Sequence, residues 1–316
     1  MEPISIVACA VGLLLLVQGG DLLVARCVHL AHCFDVPKAV VGAIIIGFGT
    51  SMPELFVSLT AAMEGRPGIA IGNVVGSNIA NVGLILGIGA LASTLHVQRS
   101  ILRNDLPLGV LAALGLLLWV GPQGVVSRYT GIGLLVLFVL YLMANLRETR
   151  RHRSAGLADD AAPETPDWHP VRDSLGVLGG LIAILAGAHL LVGGATDIAL
   201  ALGISEEIIG LSLVAVGTSL PELAAIIAAI RNGETDLAVG NVAGSNLFNL
   251  LFVLAITAVV KPVPVSARVA DVDFAVLAVF AVLAFPLLSR SRRIGRIQGG
   301  VMVVAYGVYI ARMWMG

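Results

Sequence analysis

The sequence predicts an all-α polytopic membrane protein of about ten transmembrane helices, arranged as two inverted five-helix repeats. Of the 316 residues, 58% are hydrophobic and 12% are charged, which excludes an ordinary soluble globular domain. Apolar stretches of about 20 residues, the length that crosses a bilayer as a helix, recur between charged or Pro/Gly-rich breaks. The two halves of the chain also repeat each other in sequence.

The breaks divide the chain into apolar spans and one long polar segment. Residues 147–173 carry mixed charge and three prolines, which is typical of a flexible linker. This linker separates a first five-helix repeat, residues 1–146, from a second, residues 174–316. The predicted spans lie near residues 4–25, 39–62, 69–94, 105–121, 130–146, 174–200, 206–230, 236–260, 271–289 and 297–315.

The repeat is clearest around two short motifs. A shift of 168 positions lays Gly49–Asn81 on Gly217–Asn249 without a gap, and 16 of the 33 pairs are identical. Shared apolar composition would give only a few matches, so the halves are a duplicated unit. Because five is an odd number, the second half must enter the membrane from the opposite side. Inverted repeats are typical of secondary transporters, which bind substrate near the midplane between the halves.

The basic residues predict the orientation in the membrane. With the N-terminus outside, the loops on the other side hold 14 of the 19 Lys and Arg residues. The positive-inside rule then places these loops and the linker in the cytoplasm, with both termini outside. We expect a multi-pass protein of the cell's inner (plasma) membrane.

Each half has a proline inside a predicted helix, in the segments GTSMPE and GTSLPE. Pro53 lacks an N–H and should free the carbonyl of Gly49, as Pro221 should free that of Gly217. Free carbonyls are tolerated in a membrane only where they face protein, a water-filled cavity or an ion. The two segments therefore predict helices that open locally around such a feature.

Glu54 and Glu222 end these segments. A charge at membrane depth is costly and usually marks an ion path or a proton relay. Thr50 and Ser51 lie within one turn of Glu54, so their hydroxyls can converge with its carboxylate. Hard oxygen donors suit Na+ or Ca2+, suit Mg2+ less well, and argue against zinc, copper or iron. Protons stay open as the counter-ion.

Polar stripes on the helices that follow serve either packing or ion binding. Asn and Ser recur at every fourth position, on one face of an apolar helix. Such residues let membrane helices approach and hydrogen-bond across them, so the stripes alone favour packing. The two glutamates favour an ion site instead. The stripes are Asn73, Ser77 and Asn81, and Asn241, Ser245 and Asn249.

Asp105 and Asp273 occupy matching positions at the predicted starts of two helices. A carboxylate at a helix start complements the helix dipole, and we expect this capping role. A role on an ion access path is the alternative.

These motifs resemble those of the calcium/cation antiporter superfamily, the sodium/calcium exchangers and their prokaryotic relatives. The resemblance rests on paired GTSxPE and GNxxGSN segments and covers nearly the whole chain outside the linker. It implies a ten-helix antiporter whose second, third, seventh and eighth helices enclose a diamond of cation sites. The ligands that it implies are the side chains of Thr50, Ser51, Glu54, Ser77, Asn81, Thr218, Ser219, Glu222, Ser245 and Asn249, and the backbone carbonyls of Gly47 and Ala215.

Asn249 departs from part of that family. Several members, including the potassium-dependent branch, have an aspartate after the second GSN segment. The centre here holds two carboxylates rather than three. This difference argues against potassium co-transport.

The expected function is exchange of Na+ for Ca2+ by alternating access, with no enzymatic activity and no cofactor. The expected partners are inorganic cations and the lipid bilayer, with no nucleic acid, and a monomer should suffice for transport. The alternatives are a Ca2+/H+ antiporter on the same fold, a passive cation channel, or an intramembrane enzyme that uses the two carboxylates as acid and base. The sequence has no GxGD, HExxH or GxSxG segment placed for enzyme chemistry.

Overall fold

The computed structural model describes residues 3–34, 36, 38–154, 169–202, 217–289 and 292–315, and almost all of these are helical. Two short antiparallel pairs join loops: β1 (Leu95–His96) with β4 (Arg293–Ile294), and β2 (Val125–Val126) with β3 (Val263–Pro264). The helices are α1 (Pro3–Cys33), α2 (residues 38–50), α3 (Met52–Met63), α4 (Pro67–Ala92), α5 (Ile101–Gln123), α6 (Arg128–Ser154), α7 (Pro170–Ala201), α8 (Leu220–Arg231), α9 (Thr235–Val260), α10 (residues 269–289) and α11 (Arg296–Met315).

Six of the described helices are long and apolar enough to cross a membrane, and α2 with α3 makes a seventh if the bent pair is one span. The predicted class, an all-α polytopic membrane protein, is confirmed. Helices α10 and α11 lie at the predicted ninth and tenth spans. Residues 203–216, which include the start of the predicted seventh span, lie outside the described part of the chain.

The helices beside the predicted linker run further than expected. Helix α6 continues to Ser154 and α7 begins at Pro170, inside the range 147–173. Arg and Glu are good helix formers, so the Arg-rich end of α6 can stay helical beyond its apolar part. Residues 155–168 are outside the described ranges.

The same local structures recur 168 residues apart. With this shift, α3 begins and ends at the same positions as α8, and α4 begins and ends at the same positions as α9. Both α4 and α9 contain one wide π-helical turn, Asn81–Ile85 in the first and Asn249–Val253 in the second. Such turns are rare and frequently occur at functional sites. The inverted orientation of the two halves stays a prediction.

Helices α4 and α9 form the centre of the bundle. In their most apolar windows, 78% and 72% of the residues are buried, against 22–28% in α1, α5, α6 and α7. The polar stripes of both halves run along α4 and α9. The stripes therefore belong to the protein interior rather than to the lipid-facing surface.

Helix α2 crosses α9 with the two backbones in contact. A Cβ atom on Gly47 would lie 2.9 Å from the backbone nitrogen of Ser245, and one on Gly244 would overlap the backbone of Ala43. Glycine at both positions therefore permits an approach that any side chain would block. The crossing brings the GTSMPE segment of the first half against the GNVAGSN segment of the second.

Asp105 and Asp273 do not stand at helix starts. Helical conformation begins at Arg99 and at Ala267, so each aspartate lies more than one turn inside its helix. The effect of the helix dipole falls off within the first turn, so the expected capping role is wrong. Asp105 is buried, at 6% exposure.

Candidate cation-binding site

The helix that carries Glu54 is broken at Ser51. Helix α2 ends at Thr50 and α3 begins at Met52, with a bend of 45° between them. Ser51 has φ −86° and ψ 9°, and Ser219 has nearly the same conformation before α8, with φ −91° and ψ 3°. The break that the proline predicts is confirmed in the first half, and Ser219 has the matching conformation in the second, where residues 203–216 lie outside the described part of the chain.

The carbonyl of Gly47 is occupied at the first break. The N–H of Ser51 is directed at the carbonyls of both Gly47 and Gly49, and lies 3.2 Å from the oxygen of Gly47. Pro53 has no N–H to give to the Gly49 carbonyl, so the helical bond from residue 53 to Gly49 is absent, and the Ser51 N–H makes its hydrogen bond to Gly47 instead. The Gly47 carbonyl also accepts a hydrogen bond of 3.4 Å from Ser245 Oγ, which belongs to the other half.

Glu54 and Glu222 are fully buried and lie close enough to interact electrostatically. One oxygen of each carboxylate accepts a serine hydrogen bond. Ser77 Oγ donates to Glu54 Oε1 at 3.4 Å, and Ser51 Oγ donates to Glu222 Oε1 at 3.1 Å. The second bond crosses from one half of the chain to the other.

The threonines of the two motifs face the carboxylates in the same crossed manner. Thr218, from the second half, interacts with Glu54. Thr50, from the first half, interacts with Glu222 and also donates from Oγ1 to the carbonyl of Ile46 at 3.1 Å. Ser245, from the second half, also interacts with Glu222, so each carboxylate has hydroxyl partners from both halves.

Several buried oxygens at this crossing have no hydrogen-bond partner among the described residues. They are Glu54 Oε2, Glu222 Oε2, Asn81 Oδ1, Asn249 Oδ1 and Ser219 Oγ. Native proteins leave few buried polar atoms unsatisfied. Acceptor oxygens gathered around two like charges are the environment that a hard cation completes. The arrangement is therefore chemically suited to an ion of the Na+ or Ca2+ type.

Asn73 and Asn81, on the polar stripe of α4, each donate hydrogen bonds to a neighbouring helix. Asn73 Nδ2 donates to the backbone carbonyl of Glu54 at 3.1 Å and to Ser58 Oγ at 2.9 Å. Asn81 Nδ2 donates to Asn246 Oδ1 in the other half at 3.0 Å. The packing interpretation of the stripes therefore applies to Asn73. Asn246 was not among the predicted ligands, although its place in the repeated GSN segment could have indicated it.

The structure brings five of the predicted ligands to the two carboxylates: Ser77 and Thr218 to Glu54, and Thr50, Ser51 and Ser245 to Glu222. Ser219, Asn81 and Asn249 stay predicted ligands. All of the predicted ligands that the structure describes are buried except Thr218, which is half-buried. Ala215 lies outside the described residues. Across the part of the chain that the structure describes, no group of three or more His, Cys, Asp or Glu side chains is placed to hold a metal ion. The carboxylates at the crossing are thus two, surrounded by neutral oxygens.

Known proteins match the chain over nearly its whole length. The sequence pattern of the family described as "Sodium/calcium exchanger protein" matches residues 4–147 and 174–315. The chain is 36% identical over 312 residues to the inner membrane protein YrbG of Escherichia coli, covering 96% of this chain and 95% of that protein. It is 28% identical over 344 residues to the sodium/calcium exchanger MaX1 of Methanosarcina acetivorans, covering 98% of each.

The fold also matches a solved structure. The sodium-calcium exchanger NCX_Mj, soaked with 10 mM Na+ and 10 mM Sr2+, superimposes with a TM-score of 0.84 at 34% identity, covering 98% of this chain and 99% of that one. Together with the apolar helices, these matches identify a multi-pass membrane protein that exchanges inorganic cations and is not an enzyme. The chain belongs to the sodium/calcium exchanger protein family.

Proposed function

We propose that Glu54 and Glu222 form one central site that binds Ca2+ and Na+ in turn, and that the chain exchanges Na+ for Ca2+ across the membrane. The observation that carries the proposal is the pair of fully buried carboxylates, each with one oxygen that has no partner within the described residues. The names of MaX1 and NCX_Mj, both sodium/calcium exchangers, support the same pair of ions.

The charge of the site explains why the two ions compete. Two carboxylates are neutralised by one Ca2+ or by two Na+, whereas two unpaired charges in a low-dielectric interior are costly. Without a bound ion, the charges of Glu54 and Glu222 therefore raise the free energy of the occluded state, in which the site is closed to both sides of the membrane. Exchange follows because the switch between inward and outward states takes place mainly with the site loaded.

The remaining ligands in the proposal are neutral oxygens. Their role is to replace the water that a cation loses when it enters the site, as oxygen ligands do for Ca2+ in other proteins. They are the side chains of Thr50, Ser51, Ser77, Asn81, Thr218, Ser219, Ser245 and Asn249, and the carbonyls of Gly47 and Ala215. Two carboxylates rather than three leave the centre with no charge to balance an additional K+.

The moving part in this proposal is the pair α1 and α7. The two helices pack through glycines: a Cβ atom on Gly180 would lie 3.0 Å from the oxygen of Gly19, and one on Gly187 would lie 2.8 Å from that of Gly12. Asp21 of α1 also contacts the end of α8, through Arg231 at 3.5 Å. We infer that the α1–α7 pair slides past the motif-bearing helices and opens the site to each side alternately.

The proposal also includes the orientation of the chain in the membrane and the oligomeric state that transport requires. Both termini lie outside the cell membrane and residues 147–173 lie in the cytoplasm, because basic residues favour that side. All of the ligands come from one chain, so a monomer suffices for transport.

Uptake of 45Ca2+ into proteoliposomes tests the function. The internal Na+ concentration and the pH gradient are varied separately, with Glu54→Gln protein as the blank. We expect uptake that requires internal Na+. Uptake that follows only the pH gradient would make the chain a Ca2+/H+ antiporter, in which the buried carboxylates carry protons. Uptake without any counter-ion gradient would indicate a channel.

A further inference from the structure

A cavity of about 50 Å³ lies beside the central site, between α4, α5, α9 and α10. Its lining is mainly apolar, with Leu247, Leu277 and Phe280 among its walls, and its polar lining groups are Asn78, Asp105 and Asn246. A cavity needs at least roughly 10–15 Å³ of such space to hold one water molecule. This cavity therefore has room for a small ion together with a few waters.

The two asparagines that line the cavity have amide oxygens with unused capacity to accept hydrogen bonds. Asn78 is 1% exposed, and its Nδ2 is used by the carbonyl of Val74 at 2.7 Å, while its Oδ1 has no partner among the described residues. Asn246 Oδ1 accepts one hydrogen bond from Asn81 and retains a second lone pair. Asn78 and Asn246, each with an amide oxygen that can accept further, thus line the same cavity as Asp105.

Comparison of the two halves shows that Asp105 is used differently from its counterpart. Asp273, 168 residues later, is only half-buried and accepts a hydrogen bond of 3.0 Å from the hydroxyl of Tyr309. Tyr141 is the repeat equivalent of Tyr309 and interacts with Asp105. Asp105 differs in facing the cavity and in its deeper burial. A buried carboxylate inside a membrane helix is a functional-site candidate by default.

We propose that Asn78, Asp105 and Asn246 form a second cation site, which holds one partly hydrated Na+ next to the central site. One carboxylate matches the charge of a monovalent ion, and the two amide oxygens and cavity water supply further hard ligands. The hydrogen bond from Asn81 to Asn246 connects this site to a proposed ligand of the central one. An ion at Asp105 lies about 9 Å along the helix from Arg99, the first helical residue before α5.

The test measures 22Na+ binding to the purified full-length protein at equilibrium, so it does not depend on transport. Glu54→Gln/Glu222→Gln protein, in which the central site has lost its charge, should keep saturable binding of about one Na+ per chain. Adding Asp105→Asn should weaken that binding at least tenfold. Adding Asp273→Asn, the matched change in the other half, should leave it unaltered.

A second variant fills the cavity without removing a charge. Gly109 lines the cavity, and a Cβ there would meet Leu247 only at 4.0 Å, so Gly109→Val should fold and displace the bound ion. In protein with both glutamates intact, Asp105→Asn and Gly109→Val should each reduce the Na+ stoichiometry by one. Loss of all saturable Na+ binding in Glu54→Gln/Glu222→Gln protein, or equal effects of Asp105→Asn and Asp273→Asn, would overturn the second site. The central site is judged separately, by Ca2+ binding and exchange.

Discussion

The hydroxyl of Ser51 donates a 3.1 Å hydrogen bond to the carboxylate of Glu222, across 171 residues of sequence. The bond joins the proline-broken helix of the first half to the carboxylate of the second. Because both groups are fully buried, the bond is made without competition from water. The central site is therefore shared by the two halves, and changes in one half should alter the ion contacts of the other.

Ser51→Ala should weaken Ca2+ binding by roughly tenfold to a hundredfold. A hydrogen bond to a charged group is worth about 1.5–3 kcal/mol, and about 1.4 kcal/mol is a factor of ten in affinity. Isothermal titration of Ca2+ in detergent measures the change. Ser58→Ala is the matched control, because Ser58 is also fully buried but bonds to Asn73 and Ala70 instead of a carboxylate. Equal affinities for the two variants would remove Ser51 from the site.

Asn249→Asp should tighten Ca2+ binding by about tenfold and change the Na+ concentration that displaces it. Asn249 is fully buried, and both atoms of its amide lack partners among the described residues, so a third carboxylate there would add a charge at the centre. Asn241→Asp is the control, since Asn241 is just as buried and unpaired but lies two turns earlier on α9. Unchanged Ca2+ and Na+ dependence would show that Asn249 does not contact the ion.

Single cysteines should report the orientation in cells. In a background without Cys9, Cys27 and Cys33, cysteines at Arg151 and Arg293 should be protected from a membrane-impermeant maleimide. A cysteine at Tyr129, which is 86% exposed at the start of α6, should react from outside. We expect this pattern because the loops on the same side as Arg151 carry most of the basic residues, which favour the cytoplasm. The reverse labelling pattern would invert the assigned topology.

The sequence predicted the centre of this molecule better than its surroundings. A proline and a glutamate together in an apolar span cost free energy unless they form a site. Glu54 and Glu222 are indeed buried, each at the start of a helix that follows a turn at a serine. The identical GTS and GSN segments predicted that the hydroxyl and amide groups would converge. These features could be predicted because they depend on the chemistry of a few neighbouring residues.

Features that depend on how helices end and cross could not be predicted from the sequence. The sequence predicts Asp105 at the start of its helix, yet helical conformation begins at Arg99. The hydrogen bond from Ser245 Oγ to the Gly47 carbonyl joins the two halves, and it depends on the crossing of α2 and α9, which the sequence does not show. Asn246 and Asn81 meet only because α4 and α9 lie side by side at the centre.

Competition between Na+ and Ca2+ at the two glutamates tests the central claim most directly. The measurement is equilibrium 45Ca2+ binding to purified protein at increasing Na+, for the unaltered chain, Glu54→Gln, Glu222→Gln and Glu64→Gln. Glu64 is the control because its side chain is 53% exposed, near Arg66, at the far end of α3. We predict that Na+ displaces Ca2+ from the unaltered and Glu64→Gln proteins, and that the other two variants lose at least tenfold in Ca2+ affinity while remaining folded. Ca2+ binding that survives both substitutions, or that Na+ does not displace, would contradict a shared site at Glu54 and Glu222.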